Sequence, residues 1–189
     1  SISFEEIEKL VPKINEQDTY VERRSLLEIN SSEPIFGEEN FALNELTISR
    51  RDTSSMIMIT VYINDDLLNT YWCDGLIIST PTGSTAYSLS CGGPIVVPTS
   101  NVFIITPIAP HNLNIRPMII PDKSVLRIKV SARNDTFLVS LDSRTYITPK
   151  EIEFTVQKHP RKVGLIRLLE HNYLNTLRNK LNWGLDKRN

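Results

Sequence analysis

Two stretches of this chain alternate apolar and polar side chains with period two: Leu126, Ile128 and Val130 against Arg127 and Lys129, and Ile152, Phe154 and Val156 against Glu151, Glu153 and Thr155. Successive strand residues point to opposite faces, so this pattern calls for a sheet with one buried face and one wet face. From about Tyr20 onward other short apolar stretches, at 41–50, 56–63 and 102–108, recur between polar turns and read as further strands. Asn64, Asp65 and Asp66 separate 56–63 from 67–72, and their turn-forming side chains predict a hairpin. Strands recurring at this spacing favour a sandwich or a mixed sheet system.

Helical patterns flank this region. Ser3 and Glu6 have capping-box spacing, and Phe4, Ile7, Leu10 and Val11 follow at helical intervals up to Pro12. After Gly164, Leu165, Leu168, Leu169, Tyr173, Leu174, Leu177 and Leu181 predict a second helix that packs by its apolar side. The chain opens at Ser1 without a Met, as a processed or truncated product would.

Composition excludes several functions. A formal net charge of −1 argues against a nucleic-acid partner, and the Lys/Arg-rich stretches 158–162 and 178–188 read as solvated faces. No apolar run approaches the ~20 residues that span a bilayer, and there is no secretory h-region, so no membrane partner is expected. Two cysteines, Cys73 and Cys91, cannot build a secreted-type disulfide framework, which fits a reducing cytoplasm. The three histidines lack zinc-site spacing, and no metal site is expected in the protein itself.

Four of the seven glycines lie at 75, 83, 92 and 93, in a stretch that also holds Ser79, Thr80, Thr82, Ser84, Thr85, Tyr87, Ser88 and Ser90. Residues 76–79 read as a short buried strand and 81–83 as a turn. Ser84 or Thr82 is placed to cap a short helix over 86–89, which Gly92, Gly93 and Pro94 would stop. Hydroxyls and free N–H groups delivered together suit ribose hydroxyls or phosphate oxygens, and equally suit a turn that satisfies its own backbone. Composition leaves those two readings open.

The order of residues goes further. The run from Asp74 to Ser90, DGLIISTPTGSTAYSLS, resembles the second signature of the NAD kinase family. Upstream, Asn44 and Glu45 resemble that family's Asn-Glu motif. Downstream, 106–111 with Arg116 and Pro117 is similar to its next loop. The resemblance covers about 41–142.

It implies a mainly β chain, α+β overall, that forms the C-terminal β-sandwich domain of the NAD kinase fold, with the N-terminal Rossmann-like domain largely absent. The expected division is 1–19 as a remnant or linker, 20–164 as the strand-rich NAD-binding domain and 165–189 as a helix and tail. The implied reaction moves the γ-phosphoryl of ATP, or of polyphosphate, to the adenosine-ribose 2′-hydroxyl of NAD. ATP would bring Mg²⁺ or another divalent cation. The catalytic aspartate of the family belongs to a Gly-Gly-Asp-Gly-Thr motif that is not found among these 189 residues, so this chain alone is expected to bind NAD without phosphorylating it.

The implied NAD-binding residues are Asn44 and Glu45 at the adenosine part and Asp74 at the nicotinamide end, in this family often across a subunit boundary. Thr85, Ala86, Tyr87, Ser88, Leu89 and Ser90 would line the dinucleotide, Ala109 would flank the nicotinamide, and Arg144 would contact a phosphate. A homodimer or homotetramer is implied. Without the resemblance, Asn44 and Glu45 read as a strand-end pair at a sheet edge, Asp74 as a turn cap, Tyr87 as a core aromatic and Arg144 as a surface residue. Competing functions are a non-catalytic NAD(P) sensor and a lipid kinase of related fold.

Overall fold

The computed structural model describes residues 7–8, 11–12, 18–33, 35–51, 56–170 and 172–183. Residues 7–8 and 11–12 are helical, whereas Ser3, Phe4, Glu6 and Leu10 of the expected N-terminal helix lie outside the described residues. The chain forms two compact units, 23–163 and a smaller one made of 1–22 with 164–189.

Ten strands follow in order: β1 Thr19–Ser31, β2 Phe41–Ala42, β3 Glu45–Arg50, β4 Ile57–Ile63, β5 Asp66–Cys73, β6 Gly75–Ser79, β7 Val102–Ile108, β8 Met118–Pro121, β9 Leu126–Leu141 and β10 Arg144–Leu168. Beyond 7–8 and 11–12, the described residues form two short α-helices, α1 Tyr87–Ser90 and α2 Tyr173–Leu181. Every pairing with a resolved register is antiparallel. None of the described helices is long and apolar enough to cross a membrane.

Strand β9 organises the main unit because it belongs to two sheets. Its first part, 126–132, pairs with β4, and its second part, 137–141, pairs with β3. Strand β10 follows it along both parts, with a register shift between Pro149 and Glu151 where the pair changes sheet. One sheet therefore runs β5-β4-β9-β10-β1-β2 and the other β10-β9-β3-β6-β7-β8. Their apolar faces meet in one core that includes Leu46, Ile48, Ile59, Val61, Leu76, Ile78, Phe103, Phe137, Val139 and Phe154. The two alternating stretches behave as the pattern requires: Leu126, Ile128, Val130, Ile152, Phe154 and Val156 are all buried. The hairpin between β4 and β5 turns at Asn64 and Asp65, both with positive φ (50° and 72°), which such short polar side chains tolerate.

The segment after Gly164 differs from the expected helix. Strand β10 continues to Leu168, with Val163, Leu165 and Arg167 half-buried and Gly164 and Ile166 exposed, and Arg167 pairs with Glu22 at 3.0 Å. Leucines at 165, 168 and 169 fit helical spacing but alternate across a strand, so the period was ambiguous there. Helix α2 begins only after Asn172, whose side chain accepts from the Leu174 and Asn175 N–H groups, and it ends at Asn182 in the left-handed region. Leu177 is its buried residue.

Candidate functional site

The second sheet carries polar side chains among apolar ones on its outer face. On β3, Leu46 and Ile48 point into the core, while Glu45 and Thr47 point outward. On β6 and β7 the same alternation puts Leu76, Ile78, Phe103 and Ile105 inside, with Ile77, Ser79, Ile104 and Thr106 on the outer side. These outer residues are nevertheless buried. The hydroxyl-rich stretch lies over Thr106, since Ser88 in α1 bonds its hydroxyl to that of Thr106 at 2.8 Å, both fully buried.

The stretch itself is a succession of tight turns. After β6, Thr80 and Pro81 lead into a 3-10 turn over Gly83–Thr85, then α1, which ends near Gly92 at φ +80°. Neither Thr82 nor Ser84 caps a helix, contrary to expectation: α1 is entered from Ala86 with no side-chain cap. The Ser84 hydroxyl is directed inward instead, donating to Pro81 O at 2.7 Å and accepting from Val96 N at 3.0 Å, which ties the loop that follows α1 to the turn before it. Gly83 is needed for close approach, because a Cβ there would lie 2.2 Å from the carbonyl oxygen of Asn44.

That approach brings two of the sequence motifs together. Thr80 donates its N–H to Asn44 O at 2.9 Å and its hydroxyl to Leu43 O at 2.6 Å. Glu45 lies directly opposite Ser79 across the β3–β6 pair, so the two side chains share the outer face. The Glu45 Oε2 and the Ser79 hydroxyl are both buried without a hydrogen-bond partner. Burial, aided by the nearby Asp142 carboxylate, pushes the Glu45 carboxyl up to about 7. Strand β3 is interior, flanked by β6 and β9, so Asn44 and Glu45 open an inner strand and are not a pair at a sheet edge.

Around this centre, Thr85 and Ser90 are exposed, Ala86 and Leu89 are half-buried, and Tyr87 is 46% exposed rather than a core aromatic. Asp74 and Ala109 lie at the other end of β6. Asp74 precedes the strand, and its carboxylate pairs with Arg50 at 2.9 Å. Ala109, exposed at φ +42°, follows the end of β7 that pairs with Gly75. Burial, followed by Cys91 and then the Asp74 charge, raises the Tyr87 phenol. Arg144 donates to Glu39 O at 2.7 Å and to the Phe41 carbonyl, and its guanidinium lies 5.4 Å from the Phe41 ring centroid.

Two participants escaped the sequence reading. Arg24 on β1 is 4% exposed and reaches the Thr82 hydroxyl at 3.4 Å. Asp142 accepts from the N–H groups of Leu43, Asn44 and Glu45. Nothing local in the sequence marks either one, because both act across large chain separations. Cys73, by contrast, is an inert buried thiol, pushed up to about 12 chiefly by burial.

Residues 43–168 match the family model described as the ATP-NAD kinase C-terminal domain. The chain belongs to that family. Among curated relatives it is similar to the NAD kinase of Cytophaga hutchinsonii, 51% identical over 98% of this chain and 63% of the relative. It is likewise similar to the NAD kinase of Flavobacterium psychrophilum, 50% identical over 100% of this chain and 65% of the relative. The chain thus spans somewhat less than two thirds of the length of these family members. Its fold is that of a yeast NADH kinase solved with NADH, with a TM-score of 0.88 at 24% identity, covering 98% of this chain and 57% of that one. An Archaeoglobus fulgidus NAD kinase solved with ATP superposes with a TM-score of 0.73 at 24% identity, covering 94% of this chain and 65% of that one.

Proposed function

We propose that this chain is the NAD-binding part of an NAD kinase. In the reaction, the adenosine-ribose 2′-oxygen of NAD attacks the γ-phosphorus of ATP, or a terminal phosphorus of polyphosphate. The new O–P bond forms as the bond to the bridging oxygen breaks, releasing ADP or a shortened polyphosphate. The hydroxyl proton passes to the aspartate of a Gly-Gly-Asp-Gly-Thr motif outside these 189 residues, so this chain contributes binding and orientation.

The observation that carries the reading is the unpartnered pair of Glu45 Oε2 and Ser79 Oγ under the hydroxyl-rich turn. A buried carboxylate oxygen without a donor is costly, and a ribose hydroxyl supplies that donor. Asn44 beside it offers an amide able to pair with a base edge. Thr85, Ala86, Tyr87, Ser88, Leu89 and Ser90 would wall the dinucleotide, Ser88 by fixing α1 to Thr106 beneath it. Asp74 and Ala109, at the far end of the five-residue β6, are assigned to the nicotinamide half, which in an oligomer a neighbouring subunit can share. Arg144 would lend positive charge at the rim while holding 39–41 in place.

Among the described residues no three His, Cys, Asp or Glu side chains cluster as metal ligands, so a divalent cation would be held by the phosphates of ATP and by groups outside them. The protein would act in the cytoplasm as a homodimer or homotetramer.

Titration calorimetry of NAD and then ATP into this chain, beside NADP formation by the full-length gene product, tests the reading. Binding of NAD here and turnover by the full-length product are expected. Binding without turnover in either would favour a sensor, phosphorylation of lipid would favour the lipid kinase, and no NAD binding to either would overturn the proposal. Asp74→Asn is expected to weaken NAD binding by about 1 kcal/mol, roughly fivefold, because its carboxylate is partly exposed and shared with Arg50. An unchanged dissociation constant would remove Asp74 from the site.

A further inference from the structure

The turn that presents Asn44 and Glu45 has all of its inner peptide groups accounted for. Its carbonyls at Leu43 and Asn44 are taken by Thr80. Its N–H groups at Leu43, Asn44 and Glu45 converge on one carboxylate, that of Asp142, at 2.9, 2.7 and 3.2 Å. The Asp142 N–H in turn donates to Glu45 O at 3.0 Å. Asp142 makes these contacts from the two-residue connection between β9 and β10, where its φ is +52°.

We propose that Asp142 is a positioning residue for the dinucleotide site: its carboxylate gathers the three successive N–H groups of 43–45 and so fixes the direction in which Asn44 and Glu45 present their side chains. This rests on the functional reading above for what those side chains bind. Three converging donors need an acceptor with two oxygens and no hydrogens, which an ionised carboxylate provides and an amide does not. With the peptide groups committed to Asp142 and Thr80, the Asn44 and Glu45 side chains are left to address a ligand.

Asp142 has a second effect on the same site. Glu45 faces Ser79 on β6 and lies beside Thr47 on β3 and Thr80 beyond β6, all uncharged, and among the described residues Asp142 is the charged group that bears on it. Its negative charge adds to burial in favouring the neutral Glu45 carboxyl. A carboxylate binds ribose hydroxyls better than a carboxylic acid does, so NAD affinity should rise with pH through the Glu45 titration near 7. Asp142 thereby helps to set where that rise falls.

Two variants of the full-length gene product separate geometry from charge. Asp142→Asn removes the charge and one acceptor. Its NAD dissociation constant is expected to weaken roughly tenfold, and the midpoint of the pH dependence to move to lower pH. Asp142→Glu keeps the charge but is one methylene too long to collect the three donors, so it should lose affinity while its midpoint stays near the wild-type value.

Carbon-13 NMR of the Glu45 carboxyl in the ligand-free proteins reads the midpoint without NAD, and circular dichroism shows whether each variant is folded. Wild-type affinity in both variants would overturn the proposal, as would an unmoved Glu45 midpoint in folded Asp142→Asn. Wild-type protein that binds no NAD would overturn the functional reading instead, while the ligand-free NMR comparison would still judge the contact between Asp142 and the turn.

Discussion

Glu45→Gln is expected to make the protein more stable at pH 8 and to flatten its stability between pH 4.5 and 7. The folded state raises this carboxyl from 4.5 to about 7, so it holds the proton more tightly than the unfolded chain does. Its contribution is therefore fully present below pH 4.5 and is lost as pH rises through 7, leaving a buried charge with one unpaired oxygen. The shift corresponds to about 3 kcal/mol as an upper figure. The glutamine amide, also short of a partner, returns about 1 kcal/mol of that, so the net gain at pH 8 is on the order of 2 kcal/mol. Urea unfolding of both proteins at the two ends of the window measures it, and an equal pH slope in the two would refute the account. NAD binding should weaken in the same variant, because the amide accepts a ribose hydroxyl less strongly than a carboxylate does. A position at which removing the charge stabilises the fold and harms binding is what a site for a hydroxyl-bearing ligand would look like.

Gly83→Ala is expected to lose about 3 kcal/mol of stability and to lower the melting temperature by roughly 6–12 °C. Backbone conformation is not the cause, since Gly83 does not have a positive φ. The cause is contact: a methyl group would sit 2.2 Å from Asn44 O, 2.6 Å from its carbonyl carbon and 2.9 Å from its Cα. All three are backbone atoms of the turn that Thr80 and Asp142 hold, so relief requires the two motifs to part and the Thr80 bonds to Leu43 and Asn44 to break. NAD binding should fall with stability, because the same separation displaces Glu45. Gly92→Ala is the control: Gly92 has nothing within 4 Å of its missing Cβ, and it carries only the cost of φ +80°. Equal melting temperatures for the Gly83 and Gly92 variants would show that the close approach is not what Gly83 provides.

How much of this was legible in sequence depended on distance along the chain. The alternating stretches at 126–130 and 152–156 announced their strands because the period of two is a local property, and burial followed it residue by residue. The motifs at 44–45 and 74–90 were legible as an ordered resemblance. What they do to one another was not, because Gly83 serves the turn at Asn44 by contact and leaves no trace of that in its neighbours. Ser84 looked like a cap, since a hydroxyl before a helix usually is one, yet its partners proved to be Pro81 and Val96. The leucines after Gly164 fit a helix and a strand alike, and pairing within the sheet decided for the strand. Asp142 was the least visible of all, standing 98 residues from the Asn44 amide it binds.

That separation bears on how the chain folds. The 137–141 part of β9 must pair with β3 for its end to deliver Asp142 to the 43–45 turn. Closing loops of this length costs entropy that is recovered only when the sheets lock together. Until then three successive amides of the turn are without their acceptor, and Asn44 and Glu45 have no fixed direction. The candidate site is thus assembled by long-range strand pairing and not by any local segment, since the acceptor for the 43–45 turn arrives from a residue 98 positions away from Asn44.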